Sequence, residues 1–410
     1  MDAPAVTPHP HRTEWPDTVD VDALLSTGWR PLPFREYVLK LHSRCNLACS
    51  YCYVYRMADQ SWRSAPRVIE RATVDRVARR IADHARWHGL DGVRVVLHGG
   101  EPLLAGADLI DHTAARLRAE LGPVRLDLRM QTNGVLLDDA MIDLLDRHRI
   151  RVGVSLDGGR ADNDRRRVHA DGRGSHDLVA DALRRLRAPR TRRLFSGLLC
   201  TIDLESDPEE VYDGLLEFDP PRVDFLLPHG NWTDRPPRRT ADPSRTPYAD
   251  WLLAVFDRWY GRTPRATEVR FFQEIMNLLL GGASRSETVG VSPVALLVVN
   301  TDGALEQVDT LRSAYPGAPA TGLNVHTSDL DAALRHPAVA VRQLGLDSLG
   351  GECRACSLRS VCGGGYYPHR YRAGTGFANP SVYCPDLMAV IRHIRDRVRA
   401  DVELLKGRGR

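Results

Sequence analysis

Between residues 34 and 230, short β-rich runs alternate with amphipathic stretches, and this alternation limits the fold more than any other feature. The runs are YVLKLH (37–42), VRVVLHG (93–99), RLDLRMQT (125–132), RVGVSLD (151–157), LFSGLLCTI (194–202) and RVDFLLP (222–228). Stretches such as ATVDRVARRIADHARWHG (72–89) and DDAMIDLLDRHR (138–149) lie between them, with apolar residues at helical spacing. Parallel strands need crossover connections of this kind. The pattern therefore predicts an α/β fold, a parallel sheet closed or partly closed into a (β/α)6 TIM-like barrel, with its chemistry at the C-terminal ends of the strands.

The rest of the chain organises around that unit. Residues 1–33 read as a Pro-rich extension. NWTDRPPRRTADPSRTP (231–247) reads as a linker, and bridging helices follow at about 248–260 and 267–281, so that linker and helices occupy 231–289. A smaller unit spans 290–410 and closes with a helix at about 385–405. Within it, CGGGYYPHRYRAGTGFANPSVYC (362–384) holds five glycines and two prolines, and is expected to have little core of its own.

A formal net charge of +3, with 43% hydrophobic and 27% charged residues, gives no electrostatic case for nucleic acid or membrane partners. Arginine runs such as RLRAPRTRR (185–193) read as solvated helix ends. The N-terminal stretch has no signal-peptide pattern, and the longest apolar runs, such as VALLVV (294–299), are too short to span a bilayer. The expected location is the cytosol, where clustered cysteines point to metal or catalysis before disulfides.

Of the eight cysteines, three fall at 45–52 and four at 353–384, with Cys200 alone in an apolar strand as a small hydrophobe. Cys45, Cys49 and Cys52 follow the first strand run directly. Zinc is one reading, with His42 as a fourth ligand. The other is a [4Fe–4S] cluster held by three thiolates, which leaves one iron open. In that case Tyr51 lies beside the open corner.

The spacing C-x3-C-x2-C, with an aromatic residue before the last cysteine, resembles the radical S-adenosylmethionine (SAM) superfamily. Three turns strengthen the resemblance: HGGEP (98–102) after the second strand, QTNG (131–134) after the third and SLDG (155–158) after the fourth. The resemblance covers roughly residues 35–230 and implies a radical SAM barrel. It also implies that SAM is bound at the open iron and cleaved to a 5′-deoxyadenosyl radical that abstracts a hydrogen atom. By the same match Gly99, Gly100 and Glu101 meet the amino group of SAM, and Asn133 lies near the ribose. Ser155 and Arg167 approach the methionine carboxylate, where a planar guanidinium suits a carboxylate.

Cys353, Cys356, Cys362 and Cys384 form C-x2-C-x5-C…C. Spacing alone favours zinc slightly. The region resembles the SPASM domain of radical SAM peptide-modifying enzymes, which implies an auxiliary [4Fe–4S] cluster. The fuller pattern has seven cysteines for two clusters, and here Tyr366 and Val308 occupy slots of the missing set. One auxiliary cluster with four cysteine ligands is therefore expected. Asp309 stands where some relatives place an acidic proton acceptor, Asp302 is a weaker candidate, and His369 is a possible substrate contact.

The segments SPVALLVVNTDGALEQVD and GGGYYPHRYRAGTGFANPSVYC resemble the subgroup that installs three-residue cyclophanes in ribosomally made peptides. That implies a precursor peptide as partner, a flavodoxin- or ferredoxin-type reductant, and a bond from an aromatic side chain to the Cβ of a nearby residue. Thioether or formylglycine formation on the same scaffold is the alternative within enzymes. A non-catalytic metal-binding sensor or interaction module is the alternative from another class.

Overall fold

The computed structural model describes residue 16, residues 18–240 and residues 242–408. Most of the expected N-terminal extension therefore lies outside the described residues; a short helix, Val21–Ser26, opens the rest. Six strands follow in order: β1 (Glu36–His42), β2 (Gly92–Gly99), β3 (Arg125–Thr132), β4 (Arg151–Ser155), β5 (Phe195–Thr201) and β6 (Arg222–Leu226). Each pairs in parallel with the next, as the alternating pattern predicts. The crossovers carry helices α1 (Arg71–Trp87), α2 (Ala107–Leu121), α3 (Asp139–Arg147), α4 (His176–Leu186) and α5 (Pro208–Leu216).

Burial explains why these segments fold as they do. In α1, Val74, Val77, Ala78, Ile81, Ala82 and Ala85 recur on one face and are all buried against the sheet. β2 alternates strictly: Val93, Val95 and Leu97 enter the core while Arg94, Val96 and His98 turn the other way. Two strand runs end sooner than their apolar character suggests. β4 stops at Ser155 because the Asp157 carboxylate takes the backbone N–H of Thr201 at 2.9 Å.

The sheet is wider than the six-strand expectation. It has ten strands in the order β10-β9-β8-β1-β2-β3-β4-β5-β6-β7. β7 (Glu268–Val269) adds to β6, and β8 (Leu296–Val299) pairs in parallel with β1. β9 (Ala304–Glu306) and β10 (Ala320–Asn324) continue antiparallel. The region after 290 therefore does not stand apart, because its first strand completes the far side of β1.

The segment read as a linker is also packed. Trp232 Nε1 donates to the Pro380 carbonyl at 2.7 Å, and buried Arg239 donates through Nε to the Val382 carbonyl at 2.9 Å. Helix α6 (Pro247–Tyr260) begins there, and its first backbone N–H groups, from Tyr248 and Ala249, donate to Asp386 Oδ1 at 3.0 and 3.1 Å. Asp386 lies in the last helix, which runs Cys384–Arg408; helix α7 (Arg270–Leu279) packs beside both. No described helix is long and apolar enough to cross a membrane. The Gly-rich segment also has more core than expected: Tyr367, Tyr371 and Phe377 pack with Val308, Leu311 and Val341.

A buried ion cluster locks β1 to the later strands. Arg312 is 1% exposed and donates to Asp59 at 2.7 Å, to both Glu306 oxygens at 2.7 Å and to Asp309 Oδ1 at 2.9 Å. Lys40, on β1, reaches the same Asp309 oxygen at 2.5 Å. Removing one cation would strand buried carboxylates. Arg312→Met is expected to lower stability by about 3–5 kcal/mol, read as a fall in the urea midpoint.

Candidate active site

β1 delivers its C-terminal end into the loop that carries Cys45, Cys49 and Cys52. The loop is pinned from outside: the backbone N–H groups of Ala48 and Ser50 donate to the Val168 and Arg166 carbonyls at 2.7 and 3.1 Å. Its thiols are free, half-buried and line one cavity of about 810 Å³. The cavity also takes Gly99, Gly100, Glu101, Asn133, Ser155 and Arg167. Four separate strand ends therefore converge as the sequence predicts.

The local geometry explains each of these residue types. A Cβ on Gly100 would lie 1.8 Å from Tyr55 Oη and 2.5 Å from the Arg44 carbonyl, so the turn closes only with glycine. Gly99 has φ +144° and would place a Cβ 2.1 Å from the His42 carbonyl. Glu101 is fully buried. Its carboxylate accepts from Leu103 N at 3.0 Å, Thr132 Oγ1 at 2.7 Å and Asn133 N at 2.8 Å. Burial nevertheless raises its carboxyl above the ordinary value, which favours a cationic group in front of it. Asn133 Nδ2 reaches Asn46 Oδ1 at 2.7 Å and Cys45 Sγ at 3.5 Å. Gln131, which the sequence reading missed, donates to Ser155 Oγ at 3.0 Å.

Arg167 is buried, unlike an ordinary residue of an exposed arginine run. Its Nη1 donates to Tyr51 Oη at 2.8 Å, and Tyr51 in turn donates to Asp157. Burial works against the guanidinium charge, but Tyr51, Cys49 and Asp157 beside it more than offset that. Arg167 Nε is buried with no hydrogen-bond partner among the described residues. A guanidinium lining the cavity fits a carboxylate ligand.

The sulfur positions bear on the two metal readings. Neither cysteine group, with or without His42, brings three ligand atoms within 4.8 Å of one another. A tetrahedral zinc with ~2.3 Å bonds needs sulfurs about 3.8 Å apart. His42 Nδ1 is already occupied, accepting from Arg44 N at 3.1 Å. The wider spread fits a cluster of several irons. His84, His88 and Asp331 do come that close, but His84 Nε2 accepts from Phe34 N at 3.0 Å, so the other nitrogen carries the proton and donates to Asp331. That group is a hydrogen-bonded brace.

The second cysteine group sits on chain ends and turns. Cys353 lies in the short helix Gly351–Ala355, Cys356 follows it, Cys362 ends the helix Arg359–Cys362, and Cys384 starts the last helix. Gly363, at φ +60°, would place a Cβ 1.7 Å from the Gly290 carbonyl, and Arg370 ties the turn by donating to the Gly365 carbonyl at 2.6 Å. Burial pushes the Cys362 thiol up to about 12 and Cys384 up to about 11, so thiolates there need a cationic centre. The loop between them sends Tyr366 and His369 to the wall of the main cavity.

Asp309 departs from its expected role. It does not line the cavity; it lies behind Tyr53, whose hydroxyl donates to it at 3.2 Å. Burial opposes its charge, yet Lys40 and Arg312 hold its carboxyl well below the usual carboxylate range. With Lys40 and Arg312 on it, the carboxylate serves to fix Tyr53. The Asp302 carboxylate accepts from Ala304 N, within its own turn.

Residues 39–213 match the Radical SAM superfamily. They are a radical SAM domain. A serine-type anaerobic sulfatase-maturating enzyme from Klebsiella aerogenes is 26% identical over 355 residues, 84% of this chain and 82% of that enzyme. A cysteine-type anaerobic sulfatase-maturating enzyme from Clostridium perfringens is 21% identical over 68% of this chain and 74% of its own length. Among solved structures, native anSMEcpe with bound AdoMet and Kp18Cys peptide superposes with a TM-score of 0.77 at 19% identity, covering 90% of this chain and 99% of that one. Streptococcus suis SuiB gives 0.60 at 15% identity, over 88% and 79%. Both superpositions cover more of this chain than residues 39–213.

Gly100→Ala is expected to push the cysteine loop outward at a cost of about 1–3 kcal/mol. In the metal-free protein, the rate at which iodoacetamide alkylates Cys45, Cys49 and Cys52 should rise several-fold, as peptide mass mapping would measure.

Proposed function

We propose that this chain is a radical SAM maturase of a ribosomally made peptide, oxidising a side chain at Cβ and joining that carbon to a nearby aromatic ring. The observation that carries the reading is a single cavity. The three-thiol loop, the Gly99–Glu101 turn, and Tyr366 and His369 of the loop between Cys362 and Cys384 all line it. A substrate side chain in that space would meet the three-thiol loop and the Tyr366–His369 segment of the second cysteine region.

Cys45, Cys49 and Cys52 would hold a [4Fe–4S] cluster, and Cys353, Cys356, Cys362 and Cys384 an auxiliary one. When bound, the first cluster with SAM supplies a hydrogen-atom acceptor strong enough for an unactivated C–H bond. The protein's own residues then have three tasks. Glu101 and Arg167 orient the two charged ends of the methionine moiety of SAM. Tyr53, Phe225, Phe271 and Tyr366 give the cavity aromatic walls against which a substrate ring can pack edge-on or offset. The cavity wall would hold the two reacting side chains together. A flavodoxin- or ferredoxin-type protein is the proposed reductant.

Formylglycine formation is the second reading, favoured by the extent of the likeness to sulfatase-maturating enzymes. Co-expression with small open reading frames neighbouring the gene, followed by mass spectrometry, tests both. Loss of two hydrogens with no fragmentation between two residues indicates the crosslink. A serine that loses two hydrogens, or a cysteine whose CH2–SH becomes CHO, with hydrazide reactivity indicates the aldehyde, and no mass change in any peptide, with SAM cleaved, overturns the peptide-modifying reading. After anaerobic reconstitution about eight irons per chain are expected, falling to about four when Cys45, Cys49 and Cys52 are all changed to Ala.

A further inference from the structure

The reaction proposed above, on which this inference rests, removes two hydrogens from the peptide as one hydrogen atom, one electron and one proton. The hydrogen atom goes to the SAM-derived fragment and the electron to a one-electron acceptor of the iron–sulfur class. The proton needs a base on the cavity wall. Asp309 lies behind that wall, with Lys40 and Arg312 on its carboxylate. Tyr53 is on the wall, but its proton already points to Asp309.

Two imidazoles face the same space. His229 follows β6 and lines the cavity, and its Nδ1 has no hydrogen-bond partner among the described residues. Its ring meets Tyr53 edge-on at 4.9 Å, with Tyr366 at 6.2 Å and His369 at 5.7 Å. His369 is 3% exposed, lines the cavity, and has an unpartnered Nε2. It is fixed edge-on against Tyr366 at 5.3 Å and Tyr383 at 5.0 Å. Both residues line the cavity, and among the described residues no protein group engages His229 Nδ1 or His369 Nε2.

The neighbours of the two rings separate their roles. Burial holds His229 down at about 4, so it is neutral at pH 7 and has a free lone pair, while the Asp309 charge beyond Tyr53 favours its protonated form. Burial also lowers His369, and its other neighbours, His229 and Arg370, both oppose a positive charge. We propose that His229 accepts the proton the peptide loses, and that His369 contacts the peptide as a neutral hydrogen-bonding partner. The balance is then closed: the substrate C–H, O–H or, for a cysteine, S–H bond breaks, the electron pair of that bond stays with the product, and the new N–H bond forms on His229.

The test uses the full chain with both clusters reconstituted. The probe is the peptide whose mass changes on co-expression, or the Kp18Cys peptide if none does. In His229→Ala and His229→Gln, product formed per 5′-deoxyadenosine released should fall at least about tenfold, and added imidazole should restore it in His229→Ala only. His369→Gln should raise the peptide KM more than it lowers product per deoxyadenosine. In the metal-free protein, nitrogen-15 NMR should show the His229 ring neutral down to about pH 4. Product per deoxyadenosine within twofold of wild type in both His229 variants, or a His229 ring already protonated at pH 7, would overturn this proposal alone. Wild type that releases deoxyadenosine but changes neither peptide overturns the functional reading instead.

Discussion

Arg312 and Lys40 are two cations held out of water among three carboxylates, Asp59, Glu306 and Asp309, and the position of the cysteine loop depends on that arrangement. Lys40 belongs to β1, Glu306 to β9, and Asp59 to the chain just past the cysteine loop. An ion cluster of this kind gains little over an apolar core of the same volume, but it tolerates no missing member. Its effect is therefore on register: the carboxylates fix where β1 ends relative to β9, and so where Cys45 begins. Tyr53 extends the same network to the cavity wall.

The local features of this fold were legible in the sequence, and the distant pairings were not. RLDLRMQT at 125–132 coincides with β3, because an alternating run flanked by polar residues has one way to lie in a sheet. The thiol spacings, the Gly99–Gly100 turn and the short QTNG and SLDG ends could be read because each chemistry is confined to a few consecutive residues. β8 was not legible. Four apolar residues at 296–299 carry no sign of their partner, which lies some 260 residues earlier in the chain. The supposed linker was misread for the same reason, since Trp232 and Arg239 find partners at residues 380–386, far along the chain.

The site divides along the same line. Arg167 came from the resemblance, and its burial beside Tyr51 and Asp157 supports a binding role. Asp309 occupied the expected place in sequence, but its surroundings, contributed by β1 and a 3-10 turn, change what it can do. His229 had no readable signal: a lone histidine after a strand-like run resembles any surface histidine until the cavity is seen around it. A buried unpaired nitrogen is visible only in three dimensions.

The parallel pairing of β8 with β1 has a consequence for how the chain is made. Until residue 299 leaves the ribosome, β1 has one open edge, with its N–H and C=O groups exposed. The barrel encoded by the first 230 residues must therefore wait through the synthesis of about 70 more before its first strand is covered on both sides. The domain that holds the three thiols and the region that holds the other four are thus a single unit of vectorial folding, and neither is a natural place to cut the gene.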